Sequence, residues 1–228
     1  PIAGPTNVCV GASVSLTNGT PGGLWTCSDL SVATISSVGL VSCITAGMVT
    51  ITYTLPTGCQ TTITATVNPN PSATTGPAST CFPNAVTMSN ATAGGTWASS
   101  NLNVASVDAA GVVTPDPMWS AASFGNTVDI LYTLTSTGCQ VTKTLTVNSL
   151  PIAYSIDLET PGVDHYCAGG DGINLQINPS EFGVQYQVYL NSVAYGSPVT
   201  SVGAGLSFLK LKSAGTYTAT ATSTGGCV

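Results

Sequence analysis

The residues best able to form covalent bonds in this 228-residue chain are eight cysteines, at positions 9, 27, 43, 59, 81, 139, 167 and 227. None belongs to a C-x-x-C pair, and the single histidine, His165, is not at ligand spacing from any of them. That pattern argues against a thiolate metal centre or a dithiol redox motif and for structural disulfides in an exported protein. His165 lies among Asp157, Glu159, Asp164 and Asp171, four acids within fifteen residues. A calcium site would draw six to eight oxygens from such a cluster. The Asp-x-Asp-x-Asp-Gly loop is missing, so the segment reads as a solvated linker, and no metal and no cofactor are expected. No Gly-x-Ser-x-Gly elbow accompanies the histidine, which removes the usual acyl-transfer arrangement.

Other side chains bear on modification or contact. Lys143 occupies the apolar phase of Val141, Lys143, Leu145 and Val147, where the first repeat has Ile63. An inward charge guards a sheet edge, and an ammonium can snorkel to the domain end. A third reading is a Lys–Asn isopeptide bond assisted by an acid such as Asp129. Asn18-Gly19-Thr20 and Asn90-Ala91-Thr92 are glycosylation sequons at matching repeat positions. Trp119, beside Met118 in an insertion of the second repeat, reads either as a contact hot spot or as a loop folded back on its own sandwich. Tyr189 and Tyr195 lie off the apolar phase of their strand and in the turn after it, where aromatic rings can meet a ligand.

Composition narrows what these residues can do. Charged residues make up 5% of the chain, against about 25% in an ordinary domain. Three lysines without an arginine cannot form a basic patch that tracks phosphates, so no nucleic-acid partner is expected. Apolar residues reach 43% and mean hydropathy is +0.36, which argues against disorder. No apolar run reaches 18 residues, so no membrane insertion is expected. With one imidazole and no guanidinium, the chain is read as not an enzyme.

The elements that position these residues emerge from self-comparison. Cys9 and Cys81 differ by 72 positions, as do Asn18 and Asn90, Trp25 and Trp97, Val32 and Val104, and Gly39 and Gly111. Farther on, Cys59 and Cys139, and Val67 and Val147, differ by 80, so the second copy carries eight extra residues, mostly in Pro115–Gly125. Both copies end alike, in Val67-Asn68-Pro69 and in Val147-Asn148-Ser149-Leu150-Pro151. Proline cannot continue a ladder, so these are linkers. The expected domains are 1–70, 71–150 and 151–228. The third ends just after Cys227, where the first two continue into one more strand, so it is read as lacking its last strand unless the chain continues.

Thr50–Leu55, Ile63–Val67 and Val128–Leu134 alternate with period two, as do Ile173–Ile177, Val184–Leu190 and Tyr217–Ala221 in the third domain. Thr and Val favour pleated surfaces, and alternation puts one face in a core and one in water. Short strands between Gly, Asn and Pro turns predict an all-β chain of antiparallel sandwiches. Units of this size sit near the lower limit for an unaided core, and a disulfide closing about 50 residues adds roughly 4 kcal/mol in the chain-entropy model. The repeat therefore suggests Cys9–Cys59, Cys81–Cys139 and Cys167–Cys227, with Cys27–Cys43 remaining. Ser99 and Pro115 replace that last pair together in the second copy.

Trp25-Thr26-Cys27-Ser28, Val32-Ala33-Thr34-Ile35, Gly39-Leu40-Val41, Ala46-Gly47 and Thr50-Ile51-Thr52-Tyr53 resemble the bacterial group 2 Ig-like repeat. The second copy has Trp97, Val104-Ala105-Ser106-Val107 and Gly111-Val112-Val113 at the same places. The Cys9-Val10-Gly11-Ala12-Ser13-Val14 opening and the Val-Asn-Pro linker are similar to versions in very large Bacteroidetes surface proteins, and the third domain is similar to another repeat of such proteins. The resemblance implies tandem Ig-like sandwiches, disulfide-stapled, in an extracellular or cell-surface protein of adhesion, gliding or fibres, with no catalytic residue to transfer. The tryptophans then plug the core between sheets, and Gly39 and Gly111 make turns that need positive φ.

Two functions follow as expectations. The first is a structural or adhesive stalk or filament, whose partners are copies of itself or neighbouring repeats. Its domains carry net charges of −1, −2 and −3, so the first can pack on a neighbour with little repulsion, and the incomplete third can accept a donated strand. The alternative is a glycan-binding accessory region of a secreted enzyme, using the third domain's tyrosines.

Overall fold

Runs rich in β-branched residues with period two form the longest strands, of eight and nine residues, and Gly, Asn and Pro punctuate them. The computed structural model describes residues 1–116, 126–159, 170 and 172–228, with the backbone alone at Leu209 and Lys210. The described residues contain strands and no helix, so the chain is all-β as the periodicity predicts.

The first module holds β1 (Ile2–Ala3), β2 (Asn7–Cys9), β3 (Ser13–Ser15), β4 (Thr17–Asn18), β5 (Leu24–Cys27), β6 (Ala33–Ile35), β7 (Leu40–Cys43), β8 (Gly47–Thr54) and β9 (Gln60–Asn68). One sheet runs β2-β9-β8-β5 and faces a second, β3-β7-β6. The β8–β9 hairpin is antiparallel, whereas β2 lies parallel to the far end of β9, with Cys9 beside Asn68. On β8, Val49, Ile51 and Tyr53 are buried and the threonines between them are half-exposed. These residues meet Leu16, Trp25, Val41 and Val67 in a core between the sheets.

The second module repeats the plan with β10 (Ser79–Cys81), β11 (Val86–Thr87), β12 (Gly95–Ser99), β13 (Ala105–Val107), β14 (Val112–Pro115), β15 (Asn126–Leu134) and β16 (Gln140–Asn148). Its sheets are β10-β16-β15-β12 and β11-β14-β13, and β10 again runs parallel to the last strand, with Cys81 beside Asn148. The third module holds β17 (Asp157–Leu158), β18 (Ile173–Ile177), β19 (Gln185–Leu190), β20 (Val193–Ala194), β21 (Val199–Thr200), β22 (Leu206–Leu211) and β23 (Tyr217–Thr222). β17-β18-β22 forms one sheet, and β19 carries β20, β21 and β23 in the other. β8 and β15 each lie between two strands, but among the described residues β23 pairs with β19 alone.

Local chemistry fixes the first two sandwiches in the same way. Trp25 stacks on Tyr53 and Trp97 on Tyr132, both with ring centroids 4.6 Å apart and tilted by 54°. The Tyr53 hydroxyl accepts from Gly23 N at 2.8 Å and donates to Thr20 O at 2.7 Å. Tyr132 does the same with Gly95 N and Thr92 O. Gly39 and Gly111 have φ of +81° and +82°, and an added Cβ would lie 2.3 Å from Leu16 O and 2.4 Å from Met88 O. The turn thus needs glycine for its backbone conformation and for its close approach to the facing strand.

Candidate functional site

Each module contains one turn of the same construction. In the first, Leu55 N donates to Cys59 O and Gly58 N to Leu55 O. In the second, Leu134 N donates to Cys139 O and Gly138 N to Leu134 O, and in the third Ser223 N donates to Cys227 O and Gly226 N to Ser223 O. The glycine before each cysteine has positive φ: +84° at Gly58, +74° at Gly138 and +80° at Gly226. That conformation reverses the chain tightly and presents the cysteine at the pole of the sandwich. At the opposite pole a second cysteine ends the strand that runs parallel to the last strand, Cys9 in β2 and Cys81 in β10.

The two kinds of cysteine meet across the module junctions. Cys9 is bonded to Cys139, with Cα atoms 5.6 Å apart, and Cys81 to Cys227, with Cα atoms 5.7 Å apart. Neighbouring contacts support both. Val10 N donates to Asn68 O and Asn70 Nδ2 donates to Val10 O, which ties the first linker to the strand that carries Cys9. At the second junction Phe82 N donates to Asn148 O, and Gly225 lies so close to Asn148 that an added Cβ would be 2.4 Å from its Cγ. Ile152 N donates to a Glu181 carboxylate oxygen at 2.9 Å, anchoring the second linker to the third module.

This connectivity corrects the pairs expected from the repeat. Cys9–Cys59, Cys81–Cys139 and Cys167–Cys227 are replaced by bonds between successive modules; Cys167 itself lies outside the described residues. The reason is strand length. Cys9 lies beside Asn68 while Cys59 immediately precedes Gln60, so the nine-residue β9 separates them. At about 3.3 Å per residue that is roughly 30 Å, and a disulfide needs Cα atoms within about 7 Å. Cys27 and Cys43 are free thiols rather than a pair. The Cys27 thiol donates to Ala33 O at 3.0 Å, as the Ser99 hydroxyl donates to Ala105 O at 2.6 Å in the second module. Cys27 thus takes the hydroxyl's local role, and Cys43 is 5% exposed, its thiol pushed up first by burial and then by the nearby Cys27.

The remaining sequence candidates separate. Asn18 Oδ1 accepts from Thr20 N and Asn90 Oδ1 from Thr92 N, so each sequon forms a turn under the tyrosine clamp. Asn90 Nδ2 also donates to Ser72 O at 2.6 Å. Lys143 faces Ile130 across the hairpin and Asp129 faces Thr144, whose hydroxyl it accepts at 2.6 Å. Successive residues of a strand point to opposite faces, so Asp129 cannot assist an isopeptide bond at Lys143. Tyr189 and Tyr195 are half-buried, and Tyr195 packs edge-on against Tyr217 at 5.7 Å, which is not a flat platform. Trp119, Met118 and His165 lie outside the described residues. Among the described residues no cluster of three or more His, Cys, Asp or Glu could hold a metal ion, and no helix is long and apolar enough to cross a membrane.

No protein-family model matches the chain, and no curated protein does. Solved structures give loose likenesses. Domains 4 and 5 of the S-layer protein SbsC match 60% of this chain and 82% of their own at 15% identity and a TM-score of 0.26. A C-terminal fragment of intimin, in complex with the translocated intimin receptor's intimin-binding domain, matches 70% and 66% at 18% identity and 0.34. The human desmocollin-1 ectodomain matches 97% of this chain and 57% of its own at 10% identity and 0.29. Superpositions this loose transfer no residue, ligand or partner to this chain.

Proposed function

We propose that the chain is a non-enzymatic, extracellular structural or adhesive segment, a run of Ig-like modules in a surface stalk or filament. The observation that carries this reading is the pair of disulfides between modules. A bond within a sandwich stabilises that sandwich. Cys9–Cys139 and Cys81–Cys227 instead bridge the short linkers at both junctions, so tension on the chain is shared by a second covalent path. Such bonds persist in oxidising compartments, which supports a site outside the cell. The first module's low net charge of −1 supports close packing with a neighbour.

The finer reading concerns β23. In the second module the strand after the turn, β16, buries Leu145 and Val147 completely. In the third module the corresponding place beside β23 is a groove of about 280 Å³ lined by Ile152, Tyr154, Ile156, Tyr186, Ala219 and Ala221. Small alanines on the groove side of β23 leave room for larger apolar side chains from an added strand. We propose that this strand comes from a second copy and alternates as Thr144-Leu145-Thr146-Val147 does.

Electron microscopy of the purified chain, with and without a peptide of residues 140–148, tests both readings. End-to-end filaments that shorten with the peptide are the expected result. Straight separate rods unaffected by it would remove strand donation and keep the stalk. Modules bending freely at both junctions under oxidising conditions would remove the stalk itself.

A further inference from the structure

Among the described residues, the junction bonds follow a rule that leaves one position open. The turn cysteine of the second module is bonded to the first module, and that of the third to the second. Cys139 and Cys227 are each 1% exposed as a result. Cys59 occupies the same turn, with the same two backbone hydrogen bonds and the same positive-φ glycine, yet it is a free and exposed thiol. The pole around it is uncovered too. Leu134 is 8% exposed, whereas its counterpart Leu55 is only half-buried. Leu24, which pairs with Thr54 next to this turn, is 63% exposed; the second module has Thr96 at that place.

We propose that Cys59 is a covalent docking site for another Ig-like module, whose cysteine at the position of Cys9 and Cys81 bonds to it while the module's end covers Leu24, Leu55 and Pro56. The partner is defined by the two junctions already formed: a sandwich whose first parallel strand ends in cysteine beside the end of its last strand. Bond formation removes one hydrogen from each thiol, and the two electrons and two protons pass to a disulfide donor of the export compartment, which leaves as a dithiol. The inference rests on the tandem-module reading but not on adhesion or on strand donation.

Disulfide mapping of the protein from its native surface tests it, with free thiols blocked by N-ethylmaleimide before unfolding. The expected result is loss of the Cys59 peptide from the blocked pool and its recovery joined to another cysteine peptide. A partner peptide containing Cys167, from a species of doubled mass on a non-reducing gel, identifies a second copy; the same peptide from a species of single mass overturns the proposal; a peptide foreign to this sequence identifies a module of another or longer chain. Recovery of Cys59 as a blocked free thiol, or joined to Cys27 or Cys43, overturns the proposal. Neither of those outcomes alters the Cys9–Cys139 and Cys81–Cys227 peptides, on which the stalk reading depends, so the two can fail separately. A Cys59→Ser chain, altered only at an exposed position, is expected to lose the cross-linked species on a non-reducing gel while its own melting is unchanged.

Discussion

Cys9 and Cys139 are 130 residues apart in sequence and 5.6 Å apart between Cα atoms, and the bond between them joins the end of β2 in one sandwich to the β15–β16 turn of the next. For an unstructured loop of that length, the chain-entropy model gives about 5 kcal/mol. The figure does not apply when both ends belong to modules that fold separately, because most of the loop is ordered with or without the bond. Cys139→Ser is therefore expected to lower the melting temperature of either module by only a few degrees, while the distribution of end-to-end distances broadens. Small-angle scattering of the variant against the parent chain checks this. A fall in melting as large as the loop estimate implies would show that the modules fold as one unit.

Gly39 and Gly58 both have positive φ, +81° and +84°, but they differ in surroundings. A Cβ at Gly39 would meet Leu16 O at 2.3 Å, whereas one at Gly58 meets nothing within 4 Å. Left-handed backbone costs a side chain about 1–2 kcal/mol, and forcing atoms into a packed site adds about 1–3 kcal/mol. Gly39→Ala is expected to cost about 3 kcal/mol or more and Gly58→Ala about 1 kcal/mol, as read by chemical denaturation. Equal losses would mean that the strand opposite Gly39 yields freely.

Gly39 was legible in the sequence because the need for glycine is local and the repeat marks it twice. So were the strands of the β8–β9 and β15–β16 hairpins, whose alternation follows from the pleat. The disulfides were not, although their eight cysteines are plain. Connectivity depends on which pole of the sandwich each cysteine occupies, and that depends on β2 running parallel to β9. A three-residue strand carries too little pattern to reveal its partner or direction. The usable signal was the Gly-Cys pair opening the last strand in Gly58-Cys59 and Gly138-Cys139 and closing the chain in Gly226-Cys227. It places those cysteines at one pole, away from Cys9 and Cys81. Asn18 and Asn90 recur at turns that also carry the tyrosine clamp, a contact that the sequon spacing does not reveal.

That clamp gives a prediction in duplicate. Removing the hydroxyl from Tyr53 leaves Gly23 N and Thr20 O without it, and Tyr132 stands in the same relation to Gly95 N and Thr92 O. A lost partner at a half-buried site costs about 1 kcal/mol, toward the low end for groups left unsatisfied because water can replace part of it. Tyr53→Phe and Tyr132→Phe are each expected to cost about that much, and the double variant about the sum, since the sites lie in separate modules. Urea denaturation of the three variants checks it, and strong non-additivity would couple the sandwiches.

Cys43 gives a pH dependence with a definite sign. Burial, reinforced by the nearby Cys27, pushes its thiol above the ordinary value. The folded state therefore holds the proton more tightly than the unfolded state. Stability from this group is fully present below the unfolded thiol value and is lost as pH rises through the folded one. The window opens at roughly pH 8.5, the usual thiol value. Tyr186, also pushed up by burial, adds a loss of the same sign at higher pH. Cys43→Ala is expected to flatten the first part of the alkaline decline and leave the second. In the folded chain purified away from any partner, with Cys59 unpaired, an alkylating reagent is expected to label exposed Cys59 at least tenfold faster than buried Cys43. Equal labelling rates, or an alkaline profile unchanged in Cys43→Ala, would show that the Cys43 thiol is open to solvent in the native state.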